Sequence, residues 1–277
     1  MTDYLSCDIE MNRDKSKGWL GQPHLIANLD KKFGQLVKDT QHYKTPGSPN
    51  QGLIRPKEDE PIVNKDDHTK YRSGVGMLLY LVKHSRPDIA NATRELSKLM
   101  DCPTPGAMKE LRRVIKYTLD SRTKGLRMEP KKLHEDEEWE LTVYSDSDWA
   151  GDKDTRLSVT GYCILLQGVV ISWKSKGQKS VALSSSEAEL IALSEAVKEV
   201  KFIAQLLESM GMKVKLPIVC RVDNTGAIFI AENATTSSRT KHIDTRYHFV
   251  RELTEEGFIK ILFVKTKENN AEWEHFG

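Results

Sequence analysis

Three carboxylates stand where a strand end or a helix start can deliver a metal ligand. Asp146 closes the alternating stretch Leu-Thr-Val-Tyr-Ser-Asp (141–146), and Asp223 closes Ile-Val-Cys-Arg-Val-Asp (218–223). Glu189 follows Ser-Ser-Ser-Glu-Ala (184–188), in the first turns of an expected helix. Hard oxygen donors of this kind suit Mg²⁺. A pair of such cations can hydrolyse a phosphodiester by activating a water and stabilising the leaving oxygen. The N-terminal half of the chain has no comparable grouping.

Neighbouring acids compete with this reading. Glu187 lies two residues from Glu189, and helical residues two apart do not share a face, so only one of them can join the site. Asp146, Asp148, Asp152 and Asp154 imitate the alternating acids of a calcium loop. Leu157 stands where such a loop needs glutamate, so Asp148 reads instead as a turn or rim acid. Asp66-Asp67 lacks flanking apolar strands and reads as an acidic loop. Two basic clusters are candidate phosphate contacts or simply solvated surface: Lys174, Lys176 and Lys179, then Arg239, Lys241, His242 and Arg246. A net charge of +2 does not announce a nucleic-acid binder, so such binding must come from local clusters.

The elements that must position these groups fall into two parts. Residues 1 to about 40 read as strand, turn at Lys17-Gly18, and helix opened by Pro23, a residue tolerated where first-turn amides lack partners. Residues 41–68, with Pro46, Pro49, Pro56 and Pro61, read as a connection. Apolar spacing then predicts three helices between Tyr71 and Arg122, broken at Arg86-Pro87-Asp88 and Pro103–Gly106, the last closed by Gly125.

After a charged connector at 129–138 the pattern turns to strands. Trp139–Asp146, Gly161–Leu166 and Val169–Trp173 are expected strands, with Gln167-Gly168 as a hairpin turn. A helix from Ser184–Ser186 to about Met210 follows. Pro217–Asp223, two helices including 242–256, and Phe258–Val264 complete the order βββαβααβ. That order gives an α/β class, a mixed five-stranded sheet flanked by helices. Cys7, Cys102, Cys163 and Cys220 are scattered without a Cys-x-x-Cys pair and read as buried thiols of a reducing compartment. No run of about 18 apolar residues occurs, so no membrane span is expected. The first residues do not read as a signal peptide.

From Asp146 onward the chain resembles the ribonuclease H domain of copia-type LTR retrotransposon Pol polyproteins. The matching strings are Tyr-Ser-Asp-Ser-Asp-Trp-Ala-Gly-Asp (144–152), Ser-Val-Thr-Gly-Tyr-Cys (158–163), Ile-Ser-Trp-Lys-Ser-Lys (171–176) and Ser-Ser-Ser-Glu-Ala-Glu (184–189). Val-Asp-Asn (222–224), Arg-Thr-Lys-His-Ile-Asp (239–244) and Tyr-His-Phe-Val-Arg-Glu (247–252) follow in order. Tyr71-Arg72-Ser73, Leu79-Tyr80 and Arg86-Pro87-Asp88-Ile89-Ala90 resemble the helical region between reverse transcriptase and ribonuclease H. The family's Tyr-x-Asp-Asp polymerase string is absent. The resemblance therefore implies a reverse-transcriptase C-terminal (thumb/connection-like) remnant at 1–128 and a ribonuclease H-like domain at 139–277.

It also implies cleavage of the RNA strand of RNA–DNA hybrids with two Mg²⁺, or Mn²⁺, and no polymerisation by this chain alone. Asp146 would bridge both ions, and Glu189 and Asp223 would each complete one side. Glu272 stands where the family has Asp, and its extra methylene displaces the carboxylate. A weakened or inactive nucleic-acid-binding module is therefore the alternative, and an integrase-like transferase a more distant one. His242 would contact phosphate, assist proton transfer or cap a helix. Lys174, Lys176, Lys179, Arg239 and Lys241 would meet the backbone, with Ser185, Asn224 and Thr225 in the minor groove. The implied partners are the hybrid and the remainder of the reverse transcriptase, with no membrane, in a cytoplasmic particle or the nucleus.

Overall fold

The structure, a computed structural model, describes residues 2–4, 6–48, 52–131, 138–232 and 241–271, with side chains described for all of these except 2–4, 232 and 241–245. The chain divides into two compact units, one running to Met128 and one beginning at Glu129.

In the first unit, β1 (Thr2–Tyr4), β2 (Cys7–Met11), β3 (Gly18–Gly21) and β4 (Leu126–Met128) form an antiparallel sheet in that order. The helices are α1 (Pro23–Val37), α2 (Lys65–His84), α3 (Ala90–Ser97) and α4 (Pro105–Asp120). They bury Leu29, Phe33, Tyr71, Leu78, Leu111 and Ile115 in one core. Caps fix two of the starts: Asn64 accepts the amide of Asp67 and Thr104 that of Ala107. The Arg86-Pro87-Asp88 break is held from inside. Arg86, 1% exposed, donates to both carboxylate oxygens of Asp88 at 2.8 Å, and Tyr117 donates to the same group.

Several sequence expectations change here. Tyr4–Met11 is a hairpin and not one strand, because Ser6 takes a left-handed φ of 60° and Tyr4 pairs with Cys7. Gly18 opens β3 instead of lying in a turn. Asp66 and Asp67 sit in the first turn of α2, where carboxylates meet the positive helix end, and not in a loop. The third helix ends at Asp120, and Gly125 instead allows a close approach: a Cβ there would fall 2.4 Å from the Leu20 carbonyl. The three residues of β4 have no alternating pattern long enough to read.

In the second unit the order is β5 (Leu141–Asp148), β6 (Val159–Leu166), β7 (Val169–Gly177), α5 (Ser185–Ser209), β8 (Ile218–Val222), α6 (Thr225–Glu232), α7 (Lys241–Glu255) and β9 (Ile259–Phe263). The sheet runs β7-β6-β5-β8-β9. β5, β6 and β7 are antiparallel neighbours, and β5, β8 and β9 are parallel. This is the mixed five-stranded sheet that the element order led us to expect. Gln167 and Gly168 make the tight turn with φ of 51° and 84°, as a two-residue hairpin requires. Strand β5 starts two residues later than expected, and Trp139 forms an isolated bridge with Val214.

Helix α5 is long because its apolar stripe is long. Leu190, Leu193, Val197, Val200, Ala204 and Leu207 recur at helical spacing and share a core with Val143, Ile164, Ile218 and Cys220. After β9 the chain returns to the centre of the sheet. Asn269 is fully buried, donates to the Ser145 carbonyl at 3.0 Å and accepts the Ala271 amide at 3.1 Å. Of the four expected buried thiols, Cys7, Cys163 and Cys220 are buried, whereas Cys102 is only half-buried; all four are unbridged.

Asn269 carries a testable consequence. Asn269→Ala removes both hydrogen bonds and leaves a buried carbonyl in β5 without its donor, a loss of about 1–3 kcal/mol. Urea unfolding should show a lower midpoint for the variant with an unchanged slope.

Candidate metal centre

Parallel pairing places two of the three carboxylates side by side. Tyr144 of β5 is in register with Arg221 of β8. Two residues further along the chain come Asp146, still in β5, and Asp223, one residue past the end of β8 and not inside it as the sequence suggested; continued two-residue alternation puts them on the same side. Adjacent strands lie about 4.8 Å apart. Glu189 enters from the second turn of α5. One carboxylate oxygen each from Asp146, Glu189 and Asp223 lies within 4.8 Å of the others. A single octahedral Mg²⁺ with oxygens at about 2.0–2.1 Å spans about 4.2 Å from oxygen to opposite oxygen. The three acids therefore stand at about the separation that cation binding needs.

The start of α5 separates Glu187 from Glu189. Ser184 caps the helix by accepting the Glu187 amide at 3.2 Å, and Glu187 accepts the Leu183 amide at 2.7 Å. Glu187 is thereby committed to the cap. Two positions on, Glu189 is 5% exposed and turned inward. Its Oε1 accepts both the amide and the hydroxyl of Ser147, each at 2.9 Å. Its Oε2 is buried and, among the described residues, has no hydrogen-bond partner. A buried anionic oxygen without a donor is costly. This orphan is the observation that fits the acids to a cation.

Burial, then the nearby Asp146 charge and more weakly that of Asp223, push the Glu189 carboxyl up to about 8 against the lowering effect of Ser147. A second tether joins the helix to β8. Asn224 accepts the Ala227 amide at 2.9 Å, capping α6, and accepts the Ser186 hydroxyl at 3.2 Å. Gly226 makes this approach feasible, since a Cβ there would come within 2.4 Å of the Ser186 oxygen.

The expected basic cluster also has a definite place. Lys174, Lys176 and Lys179 line one cavity of about 230 Å³ with Thr160, Gln178, Ile191, Glu195 and Arg246. Gln178 reaches from its rim to the carbonyl of Ala188, the residue before Glu189, at 2.9 Å. Burial raises the Glu195 carboxyl, but Lys198, then Lys174 and Arg246, outweigh it and hold the group below the ordinary carboxylate range. Arg246, a member of the second basic cluster in the sequence, lines the cavity of the first, and Gln178 joins it without any signal in the sequence. Spacing along the chain does not connect α7 with β7.

Ser185 is exposed at the helix start, and the side-chain oxygen of Asn224 is engaged in capping. Asp148 is exposed at the end of β5, and Asp152 caps its own turn by accepting the amides of Asp154 and Thr155. This turn accounts for the acids that imitated a calcium loop. His248 is exposed, its ring 5.4 Å from that of Tyr247. Lys241 and His242 lie on α7, but their side chains are outside the described part, and Arg239 and Glu272 fall outside the described residues.

Known proteins were compared with this chain. It is 33% identical over 270 residues to the retrovirus-related Pol polyprotein from transposon TNT 1-94 of Nicotiana tabacum, covering 97% of this chain and 20% of that protein. It is 37% identical over 206 residues to the Pol polyprotein from transposon RE1 of Arabidopsis thaliana, covering 74% of this chain and 14% of that protein. The chain belongs to the copia-type retrotransposon Pol family. It spans a fifth or less of the length of these relatives. No family model matches it. Among solved structures, LC11-RNase H1 from compost matches with a TM-score of 0.38 and 14% identity, over 49% of this chain and 91% of that one. Among the described residues no helix is long and apolar enough to cross a membrane.

The raised Glu189 carboxyl gives a pH signature. Its folded value of about 8 lies above the ordinary value of 4.5, so the folded state holds the proton more tightly. Its contribution is unpenalised below about pH 4.5 and declines as pH rises toward 8. In chelator, the melting temperature should therefore drop over that interval, and Glu189→Gln should flatten the Glu189-dependent part of the drop.

Proposed function

We propose that the second unit hydrolyses the RNA strand of RNA–DNA hybrids, using divalent cations held by Asp146, Glu189 and Asp223. The convergence of these acids around a buried, donorless Glu189 oxygen carries this reading, together with membership of the Pol family. Mg²⁺ is the expected ion and Mn²⁺ a substitute, because all three donors are hard oxygens. Bound cations supply activation of a water and stabilisation of the leaving 3′-oxygen. The protein's own part is to hold the acids. Asp146 and Asp223 are fixed by the β5–β8 register and Glu189 by Ser147. The Lys174, Lys176, Lys179 and Arg246 cavity would take the phosphate backbone, which any sequence presents. The first unit is read as the C-terminal remnant of the reverse-transcriptase portion. The rest of that portion is the proposed protein partner.

The deciding experiment is hydrolysis of an end-labelled RNA–DNA hybrid. Cleavage should require Mg²⁺ or Mn²⁺ and fall at least about 100-fold in Asp146→Asn, since removal of one strongly stabilising electrostatic group costs of that order. Hybrid bound but uncut by the wild type would leave a binding module. Cleavage unchanged in the variant would remove the assigned site.

Charge in the cavity should appear in the salt dependence. Lys176→Gln with Lys179→Gln should weaken hybrid binding and reduce the slope of log affinity against log salt by about one to two, as expected for one or two lost phosphate contacts. Fluorescence anisotropy over a salt series measures both.

A further inference from the structure

We propose that Ser147 is the positioning residue that makes Glu189 a one-oxygen ligand and thereby biases the centre toward Mg²⁺ over Ca²⁺. The inference rests on the reading that the three acids hold cations. Ser147 lies one residue beyond Asp146 in β5 and reaches α5. A carboxylate oxygen has two lone-pair sites. The Ser147 amide and hydroxyl, both at 2.9 Å, fill the two sites of Glu189 Oε1. Only Oε2 remains, buried and without a partner among the described residues. Glu189 is thus oriented with one oxygen anchored to β5 and the other available.

That division matters for ion choice. Mg²⁺ demands near-octahedral geometry with short bonds, whereas Ca²⁺ accepts larger coordination numbers and carboxylates binding through both oxygens. Saturating Oε1 works against two-oxygen binding. Removing the hydroxyl frees one lone-pair site of Oε1 and loosens the carboxylate's orientation. The change penalises the ion with strict geometry and spares the tolerant one. Partners that orient a ligating group typically contribute tenfold or more to metal affinity.

The test is calorimetric titration of the full chain with Mg²⁺ and, separately, Ca²⁺, for wild type, Ser147→Ala, Ser147→Thr and Ser147→Val. Melting curves in chelator accompany each variant. The Ala and Val variants should bind Mg²⁺ about tenfold more weakly with Ca²⁺ affinity held or raised, and Thr should keep the wild-type ratio. If Ala loses its fold, the Thr and Val pair decides, because they share a shape and differ by the hydroxyl. An unchanged Mg²⁺ to Ca²⁺ ratio in the variants lacking the hydroxyl overturns the proposal while leaving the metal centre in place. Failure of the wild type to bind either ion removes the metal centre itself, and the proposal with it.

Discussion

The second unit is organised around an electrostatic conflict. Three acids are held within 4.8 Å of one another, with one almost completely out of water. At an effective dielectric of about 20, each ionised pair at that distance repels by roughly 3–4 kcal/mol. Left to itself the cluster would spread apart or take up a proton. The raised Glu189 carboxyl shows the second response. The fold must resist the first, and its tethers occur where that resistance is needed.

Two of the restraints are backbone features. The parallel ladder between β5 and β8 fixes the separation of Asp146 and Asp223, because moving one strand would break the register of both. The buried Asn269 holds the returning chain against Ser145, next to Asp146. Others join elements through side chains. Ser147 links β5 to α5, and Ser186 with Asn224 links α5 to the end of β8. Each uses a short polar group whose rotamer freedom is small, so little entropy is lost in fixing it. Below these contacts, α5 presses a continuous apolar stripe onto the sheet, so its first turns cannot tilt without disturbing the core.

The basic cavity shows the opposite sign of field nearby. Lys174, Lys176, Lys179 and Arg246 surround a space bordered by Glu195, whose charged form they favour. Gln178 bridges this region and the backbone beside Glu189. The cations come from β7, its following loop and α7, the acids of the centre from β5, α5 and the end of β8, and α5 borders both regions through Ile191 and Glu195 on one side and Glu189 on the other. A chain whose net charge is only +2 can bear a strongly local field in this way.

Much of the second unit could be read directly. The βββαβααβ order, the Gln167-Gly168 turn and the three separated acids follow from local signals: alternation, helical spacing and residues suited to left-handed φ. The first unit was less readable, because β1 and β2 are too short to alternate and β4 finds its partner more than a hundred residues away. What local pattern could not reveal was pairing. Ser147 resembles any strand serine until α5 lies across it, and Asn269 resembles any loop amide until β5 accepts its hydrogen bond. Arg246 belongs to a surface helix until packing turns it toward Lys174 and Glu195. Residue type sets which chemistry is available, and that is written along the chain. Which groups share a lone pair, a cavity or a buried field depends on distances between remote segments, and those exist only once the sheet and helices have packed.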